Sequence, residues 1–131
     1  MFSRACVYQD GMERQARAGD GFLANPVITT NAAAGNQSIT VAMVAGGVGV
    51  FTGAAGAVNL TFPTAADLIA AFPDMDIGDS YVFTITNTAA QVATFVANTG
   101  NTIAGFTTTN AQTRTCVMTK TASTTTTITI I

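Results

Sequence analysis

The sequence predicts an all-β protein with one short helix, arranged as a compact antiparallel β-sandwich or small barrel. Three observations support this fold class. Short runs of alternating apolar and polar residues recur along the chain, and turn-forming residues separate them. β-branched residues, which favour strands, are plentiful. Only residues 64–72 combine a capping residue with the spacing of a helix.

The predicted helix follows Thr64, whose hydroxyl can cap the first turn, and Asp67 is placed to complete a shortened capping box. Pro73 ends the helix because it lacks a backbone N–H. The apolar residues that share one side of this helix are Leu68, Ile69 and Phe72. A helix of about two turns is unstable alone, so we expect this side to pack on a sheet.

An acidic bend containing Asp74, Asp76 and Asp79 follows the helix, and the period then changes to two. Within residues 80–88, one face of the predicted strand is apolar, which indicates burial of that face. The residues of this face are Tyr81, Phe83 and Ile85. Further strands are predicted in residues 37–44, 48–51, 58–62, 91–97, 102–107, 112–120 and 124–131.

The glycine-rich apolar run from Val41 to Val58 is close to the length of a membrane span. Glycines such as Gly46, Gly47 and Gly53 disfavour a stable helix, and no basic or aromatic anchors flank the run. We therefore predict turns between short buried strands here, and no membrane partner.

We divide the chain into an N-terminal arm, residues 1–25, and an antiparallel β-domain, residues 26–131. The arm lacks a clear period and holds three of the five basic residues, Arg4, Arg14 and Arg17. It is either a loosely held terminus or an extended segment that orders on a neighbouring subunit.

The surface is unusually neutral. Only 9% of the residues are charged and 48% are hydrophobic, whereas about 25% of an ordinary soluble domain is charged. Little charge keeps copies apart, which favours an obligate oligomer over a monomer. A net charge of -2 with a single lysine argues against nucleic acid as a partner.

The residue inventory gives no catalytic signature. Histidine is absent, and neither Cys6 nor Cys116 has a visible base beside it. Both cysteines are expected to be reduced, in a protein made in a cytoplasm. Asp74, Asp76 and Asp79 offer oxygens to a calcium ion but lack the further ligands of an EF-hand, so a solvated turn is expected. We predict no enzyme activity, no cofactor, no metal and no small-molecule substrate.

Candidate contact residues for a partner lie near both termini. A hydrophobic strand at the C-terminus exposes an edge that aggregates unless it pairs inside the fold or with another subunit. The candidate interface residues are Phe2, Tyr8, Phe22, Ile128, Ile130 and Ile131.

Two runs carry a resemblance to a known family. They are Phe62-Pro-Thr-Ala-Ala-Asp-Leu-Ile-Ala-Ala-Phe-Pro73 and Ile77-Gly-Asp-Ser-Tyr-Val-Phe-Thr-Ile-Thr-Asn-Thr-Ala-Ala90. With the Thr-rich strands that follow, the segment from Leu60 to Ile131 resembles small β-rich virion proteins of tailed bacteriophages, of the capsid decoration, cement or head-fibre type. The N-terminal 25 residues match nothing in that pattern.

The resemblance implies a homotrimer seated on the capsid surface of a virion, assembled in the host cytoplasm and bound to the major capsid protein. It implies no enzymatic activity. The alternative is a carbohydrate-binding or adhesin module of a phage fibre, with Tyr8 or an exposed Phe as the platform for a sugar.

Overall fold

A computed structural model describes residues 26–131 in full. Of the preceding residues it describes the backbone of two strands, β1 (Cys6–Gln9) and β2 (Met12–Gln15), which form an antiparallel sheet of their own. The rest of the predicted arm, with Phe2 and Phe22, lies outside the described residues, as does the side chain of Tyr8.

Residues 26–131 form two mixed sheets and two short helices. The elements are β3 (Val27–Asn31), β4 (Gln37–Ser38), α1 (Val41–Gly46), β5 (Gly47–Phe51), β6 (Val58–Thr61), α2 (Ala65–Ala71), β7 (Ser80–Asn87), β8 (Ala93–Val96), β9 (Asn101–Gly105), β10 (Thr108–Thr109), β11 (Gln112–Ala122) and β12 (Thr125–Ile130). The six-stranded sheet has the order β3-β5-β7-β11-β12-β9, and the four-stranded sheet has the order β10-β8-β6-β4.

The first half of this domain alternates between the two sheets. Strands β3, β5 and β7 are parallel neighbours in the large sheet, and β4, β6 and β8 are parallel neighbours in the small one. Parallel neighbours need a crossover. Here β4 with α1, and β6 with α2, supply crossovers between successive strands of the large sheet. The predicted antiparallel arrangement is therefore wrong for this half.

Helix α1 corrects the prediction of a single helix. The Thr40 hydroxyl caps it by accepting from the Met43 N–H at 3.2 Å, and Gly47 ends it in the left-handed conformation, with φ 93°. Residues 37–44 were predicted to alternate as one strand, but the strand covers only Gln37–Ser38. The glycine pair interpreted as a turn is the end of this helix.

Helix α1 packs closely on the large sheet because Gly49 of β5 has no side chain. A Cβ added to Gly49 of β5 would lie 3.1 Å from the Met43 Cβ and 3.0 Å from the Ile85 Cδ1. Glycine thus lets the short helix bury Met43 and Val44 against the sheet. This burial stabilises a helix that is too short to form alone.

The second helix confirms its prediction. The Thr64 hydroxyl accepts from the Asp67 N–H at 3.2 Å, and the helix ends at Ala71, with Phe72 as its C-cap before Pro73. Leu68 is fully buried.

The core joins the inner sides of both sheets. Phe62, at the end of β6, stacks on Phe95 of the small sheet at 5.7 Å between ring centroids. Its ring also meets the edge of Phe83 in the large sheet at 6.2 Å. The predicted buried face of β7 is confirmed, because Tyr81, Phe83 and Ile85 are all buried.

Candidate interaction surface

The large sheet has one side turned away from the core, and we call this side the outer face. In β7 the inner residues are buried, while Val82 between them is 51% exposed. The same alternation runs through β11 and β12, where Cys116, Met118, Ile128 and Ile130 point inward. The outer face of these three central strands comprises Ser80, Val82, Thr84, Thr86, Thr113, Thr115, Val117, Thr119, Thr125, Thr127 and Thr129.

The outer face carries no ionisable side chain in any of its six strands, from β3 to β9. The charged residues of the described range lie elsewhere. Asp67 is on α2, three aspartates form the acidic bend before β7, and Arg114 and Lys120 occupy positions of β11 that alternate with the outer face, like buried Cys116 and Met118. When an uncharged sheet face is covered by another surface, no free energy is spent on removing water from charged groups.

Hydroxyl groups on this face bond to one another across strands. Ser80 Oγ and Thr119 Oγ1 are 2.7 Å apart, and Thr86 Oγ1 and Thr113 Oγ1 are 2.8 Å apart. A third pair, Thr121 and Thr125, joins β11 to β12 at 2.8 Å. Because these six hydroxyls already have partners, their burial under another surface would not leave them unsatisfied.

Val82 and Val117 form the apolar centre of the outer face. They are direct partners in the ladder between β7 and β11. Residues paired in this way bring their side chains within contact distance on one face. A partner surface centred here would bury both valines.

The size of the face is that of a protein interface. With strands about 4.8 Å apart and ~3.3 Å of rise per residue, six strands of about six residues make a rectangle of ~500 Å². A standard interface buries ~800 Å² per partner, which is the same order of magnitude.

The predicted interface residues separate into two groups. Ile128 and Ile130 are 0% and 1% exposed and belong to this chain's own core, so their side chains do not lie on the surface of this fold. Their strand pairs inside the fold, between β11 and β9, which removes the edge that motivated the assignment. Ile131 is 63% exposed, while its N–H donates to the Thr115 carbonyl oxygen.

The acidic bend is built as a turn. The Asp79 carboxylate accepts from the Asp76 N–H at 2.9 Å, and the Gly78 N–H donates to the Lys120 carbonyl oxygen at 2.7 Å. The Lys120 ammonium donates to the Met75 carbonyl oxygen at 3.0 Å. Within residues 26–131, no three metal-ligating side chains come together.

The two side chains with raised pKa values, Cys116 and Tyr81, lie in the core. Burial raises the pKa of the Cys116 thiol to about 12, and this thiol is free. Burial also raises the pKa of Tyr81, whose hydroxyl donates to the Ala45 carbonyl oxygen at 2.9 Å. Both side chains serve packing in this position.

Phe106 is the exposed aromatic ring of the described domain, at 57% exposure. The Arg114 guanidinium lies 4.4 Å from its ring centroid, and its Nε–H donates to the Thr108 carbonyl oxygen at 3.1 Å. The ring is thus held against β11 by a cation–π contact.

Comparisons with protein-family models, curated proteins and solved structures give no match. In the part of the chain that the structure describes, neither helix has the length and apolar character needed to cross a bilayer. The sequence-based prediction of interface residues selected aromatic and aliphatic side chains near the termini and did not include the outer face. Its available signal was the recurrence of uncharged residues, mostly Thr and otherwise Ser80, Val82 and Val117, at alternate positions of β7, β11 and β12.

Proposed function

We propose that this chain is a non-enzymatic structural virion protein, a capsid decoration or cement protein of the tailed-bacteriophage type. In this proposal the two sheets face each other as a sandwich, copies associate as a homotrimer, and the assembly binds the major capsid protein at the capsid surface. The observation that carries the proposal is the uncharged outer face of the large sheet.

Covering that face by identical copies has a favourable energy balance. Apolar burial contributes about 25 cal/mol per Å². The paired hydroxyls reduce the cost of removing water from polar groups. Since no ions take part, association is expected to depend weakly on salt, unlike steering by charged patches.

Function on a shell also needs a second contact. The N-terminal arm holds a larger share of charge than the domain, and we assign it the contact with the major capsid protein. The copies then share mechanical load across joints of the shell, a role that requires surface rather than catalytic residues.

The test has two arms with one purified chain. Native mass spectrometry at micromolar concentration, in low and high salt, is expected to give a trimer at both. Co-sedimentation with undecorated phage shells is expected to show saturable binding of the full chain, lost on removal of residues 1–25. A monomer that does not bind shells would overturn the proposal.

A carbohydrate-binding module of a phage fibre is the second candidate, and exposed Phe106 is the observation that favours it. A glycan array is its test. Selective binding that Phe106→Ala abolishes and Val92→Ala retains would promote this function over the first. Val92 is a suitable control because it is also exposed, at 42%.

A further inference from the structure

The large sheet ends in two open strands, β3 on one side and β9 on the other. Both are five residues long and contain no charged residue. They also run in the same direction. Strands β3, β5 and β7 are parallel, and β11 is antiparallel to both β7 and β12, so β12 runs in the direction of β7. Strand β9 is parallel to β12.

The free backbone groups of β3 can be assigned from its bonds to β5. The Asn31 carbonyl oxygen accepts from the Thr52 N–H at 3.0 Å, so Asn31 faces β5. Peptide groups of successive residues alternate in direction along a strand. Ile28 and Thr30 therefore turn their N–H and C=O groups toward the open side.

The same reasoning applies to β9. The Gly100 carbonyl oxygen and the Phe106 N–H both bond to β12, through Thr126 and Ile130. Alternation then places the N–H and C=O groups of Ile103 on the open side.

Within residues 26–131, neither edge is protected by a charged side chain, an internal proline or a covering strand. Natural sheets protect their edges with charged side chains, prolines or covering segments. In β3 the side chains of Val27 and Ile28 are 58% and 67% exposed, and Pro26 precedes the strand rather than interrupting it. Strands β1 and β2 pair with each other, and no strand of the described residues pairs with the open side of β3.

We infer that β3 of one copy pairs in parallel with β9 of the next copy, so that the large sheet continues from chain to chain. The occupant of each edge is a second copy, because the two edges match in length, direction and lack of charge. The contact joins two different surfaces, and such head-to-tail contacts form a closed ring when the rotation between copies closes and an open filament when it does not. The inference rests on the self-association proposed above and specifies one of its contacts, the hydrogen-bonded pairing of β3 with β9 at the joint between neighbouring copies of the trimer.

Amide hydrogen exchange tests the pairing directly. The N–H groups of Ile28, Thr30 and Ile103 have no partner within residues 26–131. In the full chain, their exchange is expected to slow at least about tenfold as concentration rises through the dissociation midpoint of the oligomer. Exposed loop amides, such as that of Ala55, serve as the control and should not change.

A proline variant provides the matching perturbation. Thr30→Pro removes an N–H on the open side and leaves the bonds to β5 in place, and proline is tolerated in edge strands. Thr30→Val keeps the N–H and is the control. We expect Thr30→Pro to raise the dissociation midpoint at least about tenfold, because a copy that leaves the assembly makes two such contacts and each has lost about one hydrogen bond. Circular dichroism should show the same fold.

The outcomes separate the inference from the proposed function. An oligomer whose edge amides exchange freely, or whose Thr30→Pro variant assembles like Thr30→Val, overturns the edge pairing alone. Protection of Ile28 and Thr30 at dilutions where the chain is monomeric also overturns it, since the chain's own N-terminal residues would then cover β3. A wild-type chain that never associates overturns both.

Discussion

A lysine at the centre of the outer face should separate the copies without unfolding them. Val82 lies on the central strand β7, 51% exposed and directly opposite Val117. Exposed positions outside special features usually change the free energy of unfolding by about 0.5 kcal/mol or less. Val82→Lys should therefore leave the monomer folded and place a cation where the face has no carboxylate.

The expected loss in the free energy of association has two contributions at each contact between copies. Burying the exposed half of the Val82 side chain is worth ~1 kcal/mol, which the variant forfeits. An ammonium with no opposite charge nearby adds at least ~2 kcal/mol for removal of its water. Because 1.4 kcal/mol is tenfold in affinity, ~3 kcal/mol raises the dissociation constant about 100-fold.

The assay is a dilution series followed by sedimentation velocity or native mass spectrometry. Val82→Thr is the control, since it is β-branched and uncharged like its neighbours, and it should assemble close to wild type. If Val82→Lys dissociates at the same concentration as Val82→Thr in low salt, the outer face is not the interface and the reasoning fails.

Three further predictions concern the fold. Phe62→Ala should lower the free energy of unfolding by about 3–5 kcal/mol, measured by urea denaturation, because Phe62 fills the space between the sheets; a loss below ~1 kcal/mol would contradict this packing. Gly53→Ala should destabilise the domain and lower its melting temperature, because the new Cβ would collide with the Ala32 carbonyl oxygen, whereas Gly56→Ala meets nothing within 4 Å and should melt like wild type. The pKa of Cys116, raised by burial from 9.0 to about 12, favours the protonated thiol in the folded state, so its contribution to stability is complete below pH 9.0 and is lost as pH rises toward 12. Urea midpoints across this range should fall more steeply for wild type than for Cys116→Ala, and equal slopes would refute the assignment.

Helix α2 and strand β7 could be predicted because their signals are local. A capping hydroxyl at Thr64, a stop at Pro73 and a strict period of two in residues 80–87 act within a few residues of chain. Propensity and tertiary packing agree in both elements, so the prediction and the structure coincide.

Helix α1 could not be predicted in the same way. Its residues, including Val41 and Val44, are compatible with a strand, and the apolar positions around Ile39 and Met43 fit either period. The choice is made by Gly49, which belongs to the next strand and opens the space that the helix fills. Tertiary packing overrides local preference at such positions.

The sequence by itself determined that this protein is rich in strands, nearly free of charge, and without histidine. Those are properties of composition and of neighbouring residues. Only the tertiary structure decided that Ile128 and Ile130 lie in the core, that the strands are partly parallel, and that threonines from β7, β11 and β12 form one uncharged face. These features depend on which strands become neighbours, and long-range packing sets that choice.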